Sequence, residues 1–157
     1  MVDDGRKLDD NPAGRFSERS LDTVTMTTLE KNHAFAALIA AATGHRLERP
    51  GESMLAVDGD GRRALLRWAR DAKSAIEIPR PQLRKIHSLL VAIGDPTGLL
   101  YEVFRLKKAD LDRFRKDGSK PAVVSVSLRD AAEALEMLAP MQITARQLEE
   151  TWSRIST

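Results

Sequence analysis

The chain has 157 residues, 25 Lys and Arg against 23 Asp and Glu, and no cysteine. That length predicts one domain around one core; the missing cysteines exclude disulfides, thiolate metal sites and thiol catalysis and suit a reducing cytoplasm, where the protein is expected. The near-neutral total conceals a basic middle, with fifteen Lys and Arg against seven Asp and Glu between Arg62 and Lys120, a local excess of +8.

Residues 1–25 are polar and charged, with little to bury, and are expected to form a flexible tail ahead of a single domain over 26–157. They do not read as a signal peptide. The longest apolar run, Ala34 to Ala42, is far short of the ~20 residues that span a bilayer. A helix opens at the capping box Thr27-Thr28-Leu29-Glu30, runs through Phe35, Leu38, Ile39 and Ala42, and stops at Gly44. Residues 45–57 read as one strand, and Asp58-Gly59-Asp60-Gly61 as a two-residue hairpin turn. The returning strand, Arg63 to about Asp71, alternates. It places Leu66 and Trp68 on a core face and Arg67, Ala69, Asp71 and Lys73 on a polar floor.

Ile76-Glu77-Ile78 then leads through Pro79-Arg80-Pro81 into a predicted helix with the stripe Leu83, Ile86, Leu90 and Ile93, ended by Gly94. Gly98 to Leu106 reads as a covered strand, apolar on both faces except at Glu102. A turn at Asp117-Gly118, a strand over Ala122–Val126, a helix from Ser127 to about Leu138 stopped by Pro140, and a last helix from Thr144 with Leu148, Trp152 and Ile155 on one side complete the reading. His33, His45 and His87 lack metal-ligand spacing. Trp68 and Trp152 fall on apolar stripes, which assigns them to packing.

The segment over about 28–114 resembles the archaeal Holliday-junction resolvases of the P-D…(D/E)-x-K nuclease superfamily. The features that carry the likeness are the early helix with Glu30, the glycine-tipped hairpin at Asp58–Gly61, the strand that ends in a lysine loop, and Ile76-Glu77-Ile78-Pro79-Arg80-Pro81-Gln82 before the strand at 98–106. The resemblance implies a restriction-endonuclease-like α/β fold, a mixed sheet of four to five strands flanked by helices. It also implies a homodimer acting on DNA; the absence of a membrane partner is expected from the short apolar run instead.

The chemistry departs from that family. Aligned on the hairpin, the acidic triplet falls on Arg67-Trp68-Ala69 and the metal-binding aspartate near Ser53-Met54-Leu55, so the carboxylates that would hold Mg²⁺ are replaced. Asp58 with Asp71-Ala72-Lys73 fits the bare motif, but in a two-residue hairpin ten strand residues, roughly 33 Å, separate Asp71 from the hairpin end. In that register Asp71 faces Glu48, which leaves a displaced site of Glu30, Glu48, Asp71 and Lys73 as an alternative to cross-strand ion pairs. The leading expectation is a catalytically degenerate, cofactor-free relative of the resolvases that binds branched DNA. Its basic face would be Arg62, Arg63, Arg67, Arg70, Lys73, Arg80, Arg84, Lys107 and Lys108. An active Mg²⁺-dependent endonuclease using the displaced site, and a protein-interaction module that keeps the fold and presents its last helix, are the alternatives.

Overall fold

The computed structural model describes residues 26–156, so the expected tail at 1–25 lies outside the described residues. The chain divides into two units at Glu30/Lys31. In the first, the predicted capping box closes: the Thr27 amide donates to Glu30 Oε1 at 2.9 Å and the Glu30 amide to Thr27 Oγ1 at 3.1 Å. The helix it opens is α1 (Thr28–Ala42). Gly44, at φ 74°, turns the chain so that the His45 amide reaches the Ala40 carbonyl at 2.8 Å, the six-to-one bond that closes a helix C-terminus.

The fold is mixed α/β. After α1 come β1 (Arg46–Leu47), β2 (Leu55–Val57), β3 (Arg63–Ala69), β4 (Ala75–Pro79), α2 (Arg80–Leu83), β5 (Ser88–Gly94) and β6 (Leu100–Lys107). There follow α3 (Lys108–Phe114), β7 (Arg115–Asp117), β8 (Val123–Ser127), β9 (Glu136–Gln142) and α4 (Ala145–Ile155). In place of one sheet of four to five strands there are two, six strands in the order β9-β6-β5-β3-β2-β1 and three in the order β4-β8-β7. Neighbours pair antiparallel except β3 and β5, which are parallel.

Both faces of the large sheet are covered. On one face Leu66, Leu90 and Val103 pack with Phe35 and Ile39 of α1, and Leu148 of α4 closes against them. On the other, Leu65, Leu89, Val91 and Leu106 meet Ile76 and Ile78 of β4 and Val124 and Val126 of β8. The expected polar floor of β3 is therefore a second core face, with Leu65 and Ala69 buried on either side of Arg67. The alternation in 63–71 is real, but β4 and β8 bring their own apolar faces to cover it.

The helix expected over Leu83–Ile93 is the largest correction. Proline starts α2, but α2 ends at Leu83, and the His87 amide donates to the Arg63 carbonyl at 2.8 Å, drawing the chain into the sheet as β5. Leu89, Leu90, Val91 and Ala92 are all fully buried, two toward each face. A helical stripe would leave part of this run in water, whereas a central strand hides all of it.

Three further expectations change. The strand expected over 45–57 is interrupted at Pro50-Gly51, where the Glu52 and Ser53 amides turn back on the Arg49 carbonyl, so β1 folds onto β2. The hairpin loop is five residues, because Val57 pairs with Arg63; Asp58 Oδ1 organises it by accepting from the Asp60 and Arg62 amides at 2.8 and 3.0 Å. The helix expected over Ser127–Leu138 is a turn with a short 3-10 segment at Ala132–Ala134, followed by β9. Its good helix formers yield because β9 covers the open edge of β6, where Pro140 is tolerated as an edge residue.

The last helix forms as read, with Thr144 and Gln147 making a reciprocal capping box. Its stripe is used within the chain: Leu148 joins the α1 core and Trp152 lies 6.3 Å from His33. No helix among the described residues is long and apolar enough to cross a membrane.

Candidate nucleic-acid interface

Strand direction gathers part of the basic middle at one end of the large sheet. Because β3 and β5 are parallel, both begin there, and antiparallel β6 ends there, with Ser88 opposite Lys107. Backbone bonds fix the junction, since the Lys108 amide donates to the His87 carbonyl at 3.0 Å and Lys108 Nζ to the Leu83 carbonyl at 2.6 Å. Arg62, Arg63, Arg84, Lys107 and Lys108 thus share this end. Arg46 joins them in the row Arg46, Val57, Arg63 across β1, β2 and β3.

Arg46 and Lys85 were not among the residues singled out from sequence, and His87 was considered only as a metal ligand. Lys85 and His87 stood inside a predicted helix, and Arg46 belonged to a strand whose reversal onto β2 was not foreseen. The signal for them was charge alone, without a register to place it.

Not every cation at this end is available. Arg63 Nη2 lies 2.9 Å from Glu48 Oε2, and Lys108 Nζ lies 3.9 Å from Asp112, which also reaches Arg115. Arg46, Arg62, Arg84, Lys85 and Lys107 are exposed and make no ion pair among the described residues. Of the acids at the same end, Asp58 is turned onto its own loop amides, and the Arg62 amide's donation holds its carboxyl below the usual range. Asp60 and Asp110 stand at this end as well, and Glu136, bound to Arg105, also feels the charge of Lys107.

Four of the proposed contacts lie elsewhere. Arg70 and Lys73 follow the far end of β3, about 20 Å from Arg63 along the strand. Arg80 straps α2 to the β7–β8 loop, through Nη2 to Asp117 at 3.1 Å and Nε to the Pro121 carbonyl at 2.8 Å. Arg67 is half-buried in mid-strand opposite Val91, with Nη1 on the Leu66 carbonyl at 3.0 Å; burial lowers its pKa, yet a guanidinium keeps its charge at neutral pH.

The positions aligned with the nuclease motif do come together. The Leu66 amide donates to the Met54 carbonyl at 2.8 Å and Leu55 pairs with Leu65, so Ser53–Leu55 runs beside Leu65–Arg67. Trp68 points to the α1 face, stacked on Phe35 at 4.6 Å, so it is packed away from any base.

The displaced set is dispersed. Glu48 serves Arg63 at the start of β3, while Asp71 lies beyond its end and accepts from the Lys73 amide at 2.8 Å and Ser74 Oγ at 3.2 Å. The expected Asp71–Glu48 apposition fails because β1 and β2 split the strand that was to carry it. Glu30 is engaged by the Thr27 amide. Among the described residues no three His, Asp or Glu side chains are grouped to hold a metal ion. No protein-family model matches the chain, and no curated protein matches it.

Proposed function

We propose that the protein binds nucleic acid, DNA in the first instance, through the basic end of its large sheet, as a catalytically degenerate relative of the junction resolvases. The observation that carries this is the convergence of Arg46, Arg62, Arg84, Lys85 and Lys107 at one sheet end with no carboxylate bound to them. Five adjacent strands at about 4.8 Å spacing make this edge about 20 Å long, which matches about six base-pair steps of 3.4 Å rise along a duplex axis.

Relationship to the restriction-endonuclease-like fold is supported by the order of helix, hairpin, strand, crossover and parallel strand from α1 to β5. The crossover here is β4 with the short α2 instead of a long helix. The degenerate reading is supported by Arg67 standing beside Ser53–Leu55, where converging acids would be needed to hold a cation, and by Ala69 at the place of the motif's lysine two residues further along β3. A two-fold substrate would be met by a homodimer, as the resemblance implies.

The test is binding of fluorescently labelled four-way junction, duplex and single strand across a salt series, then the same with Mg²⁺ or Mn²⁺ and a denaturing gel for nicks. Salt-dependent binding without nicking is expected. Absence of binding at low salt removes the nucleic-acid reading; metal-dependent nicking abolished by Asp71→Ala restores the displaced site.

A further inference from the structure

The three-stranded sheet does not cover the whole face it packs on. Beyond it, at the end of β5 and β6 remote from the basic edge, a cleft of about 810 Å³ opens between these strands, β9 and the turn that carries Leu128 and Leu135. That is within the range of about 300–1,000 Å³ that small-molecule sites occupy. Its walls are mainly apolar, and Leu100 remains 52% exposed at its mouth.

Glu102 stands in this apolar floor. In register it lies between Ile93 of β5 and Pro140 of β9, and its neighbours two residues along β6 on the same face are Leu100 and Phe104. Every adjoining position on its face is therefore apolar, and Glu102 makes no hydrogen bond or ion pair among the described residues. The one other charged residue that lines the cleft is also acidic, Asp95, which takes the Thr97 hydroxyl at 2.6 Å. That donation and nearby backbone amides hold its carboxyl below the usual range, so it stays ionised. No lysine or arginine lines the cleft, in a chain whose middle is strongly basic.

We propose that this cleft binds a small organic cation, a protonated amine carried on an apolar body, with Glu102 as its counter-charge. The apolar body takes the place of water against Ile93, Phe104 and Leu135, and the ammonium donates to the Glu102 carboxylate at the open side. Phosphate and other anions are disfavoured by the same two carboxylates, which separates this site from the basic edge in ligand chemistry as well as in place.

The test uses 4-phenylbutylamine, with 4-phenylbutanol and 4-phenylbutyrate as matched neutral and anionic probes, followed by NMR of ¹³C-methyl leucine. Leu135 lines the cleft, and Leu148, on the α1 face of the sheet, is the internal control. The amine is expected to shift Leu135 saturably, about five-fold tighter than the alcohol, the scale of a solvent-exposed charge pair, with the carboxylate weakest. Glu102→Gln, at an exposed position, should bring the amine to the level of the alcohol and leave DNA binding unchanged. Leu100→Lys, which sets an ammonium beside Glu102 on the same face, should remove most of the amine's advantage over the alcohol. Equal affinity for all three probes, no shift at Leu135, or an undiminished amine preference in Glu102→Gln overturns the proposal. Leu135 shifts that follow protein concentration without any probe overturn it in favour of a second copy of the chain on this face.

Discussion

Replacing Arg46, Arg62, Arg84, Lys85 and Lys107 together by alanine separates the basic edge from the rest of the positive charge. All five are exposed, so the fold loses no buried contact. Each phosphate neutralised contributes about 0.9 to the slope of log affinity against log salt, so five contacts contribute about 4.5, or about a 500-fold fall in affinity between 50 and 200 mM salt. Fluorescence anisotropy on a labelled four-way junction should show that slope in the parent and its near-disappearance in the variant. Arg70→Ala with Lys73→Ala, at the far end of β3, should leave the slope where it was. Glu48→Gln gives a change of opposite sign: it frees Arg63, now bound at 2.9 Å, and should steepen the slope by about one unit. If the far-end pair flattens the slope and the five-residue variant does not, phosphate is bound elsewhere and the reasoning from strand direction is refuted.

Val91→Ala should cost about 2 kcal/mol in chemical denaturation, because β5 is buried on both faces; a tolerated substitution would fit the helical stripe that leaves Val91 outward. Gly94→Ala should destabilise by about 1–3 kcal/mol, since its Cβ would stand 2.9 Å from Tyr101 Cε2 and 3.1 Å from the Arg70 carbonyl oxygen, and an unchanged denaturation midpoint would contradict that packing. Arg105, with Nη2 2.9 Å from Glu136 Oε1, holds that carboxyl below the usual range. The folded pKa is thus the lower one, and the pair's contribution is present above the unfolded pKa and lost as the pH falls through the folded one. Denaturation midpoints of Glu136→Gln and the parent should therefore differ at neutral pH and converge in acid. Thr144→Ala should cost about 1 kcal/mol through loss of the α4 cap, read as a lowered thermal midpoint.

Local chemistry fixed the ends of two helices before any fold was known. The box of Thr27 and Glu30, the stop at Gly44 and the start at Thr144 each depend on groups within a few residues of one another, so the sequence alone determines them. The basic excess between Arg62 and Lys120 was legible because it is a matter of composition alone. What only the tertiary structure decided was which periodicity wins and where charges meet. Leu83, Ile86, Leu90 and Ile93 satisfy a helix as well as Leu89 to Ala92 satisfy a buried strand, and the choice falls to partners distant in sequence: Arg63 and its strand on one side, Lys107 and its strand on the other. The same long-range pairing brings Arg46, Lys85 and Lys107 to one edge, sends Arg70 and Lys73 to the opposite end, and lays Glu102 in an open apolar cleft. A short segment carries its propensity within itself, but its neighbours across a sheet are set by the burial of the whole chain.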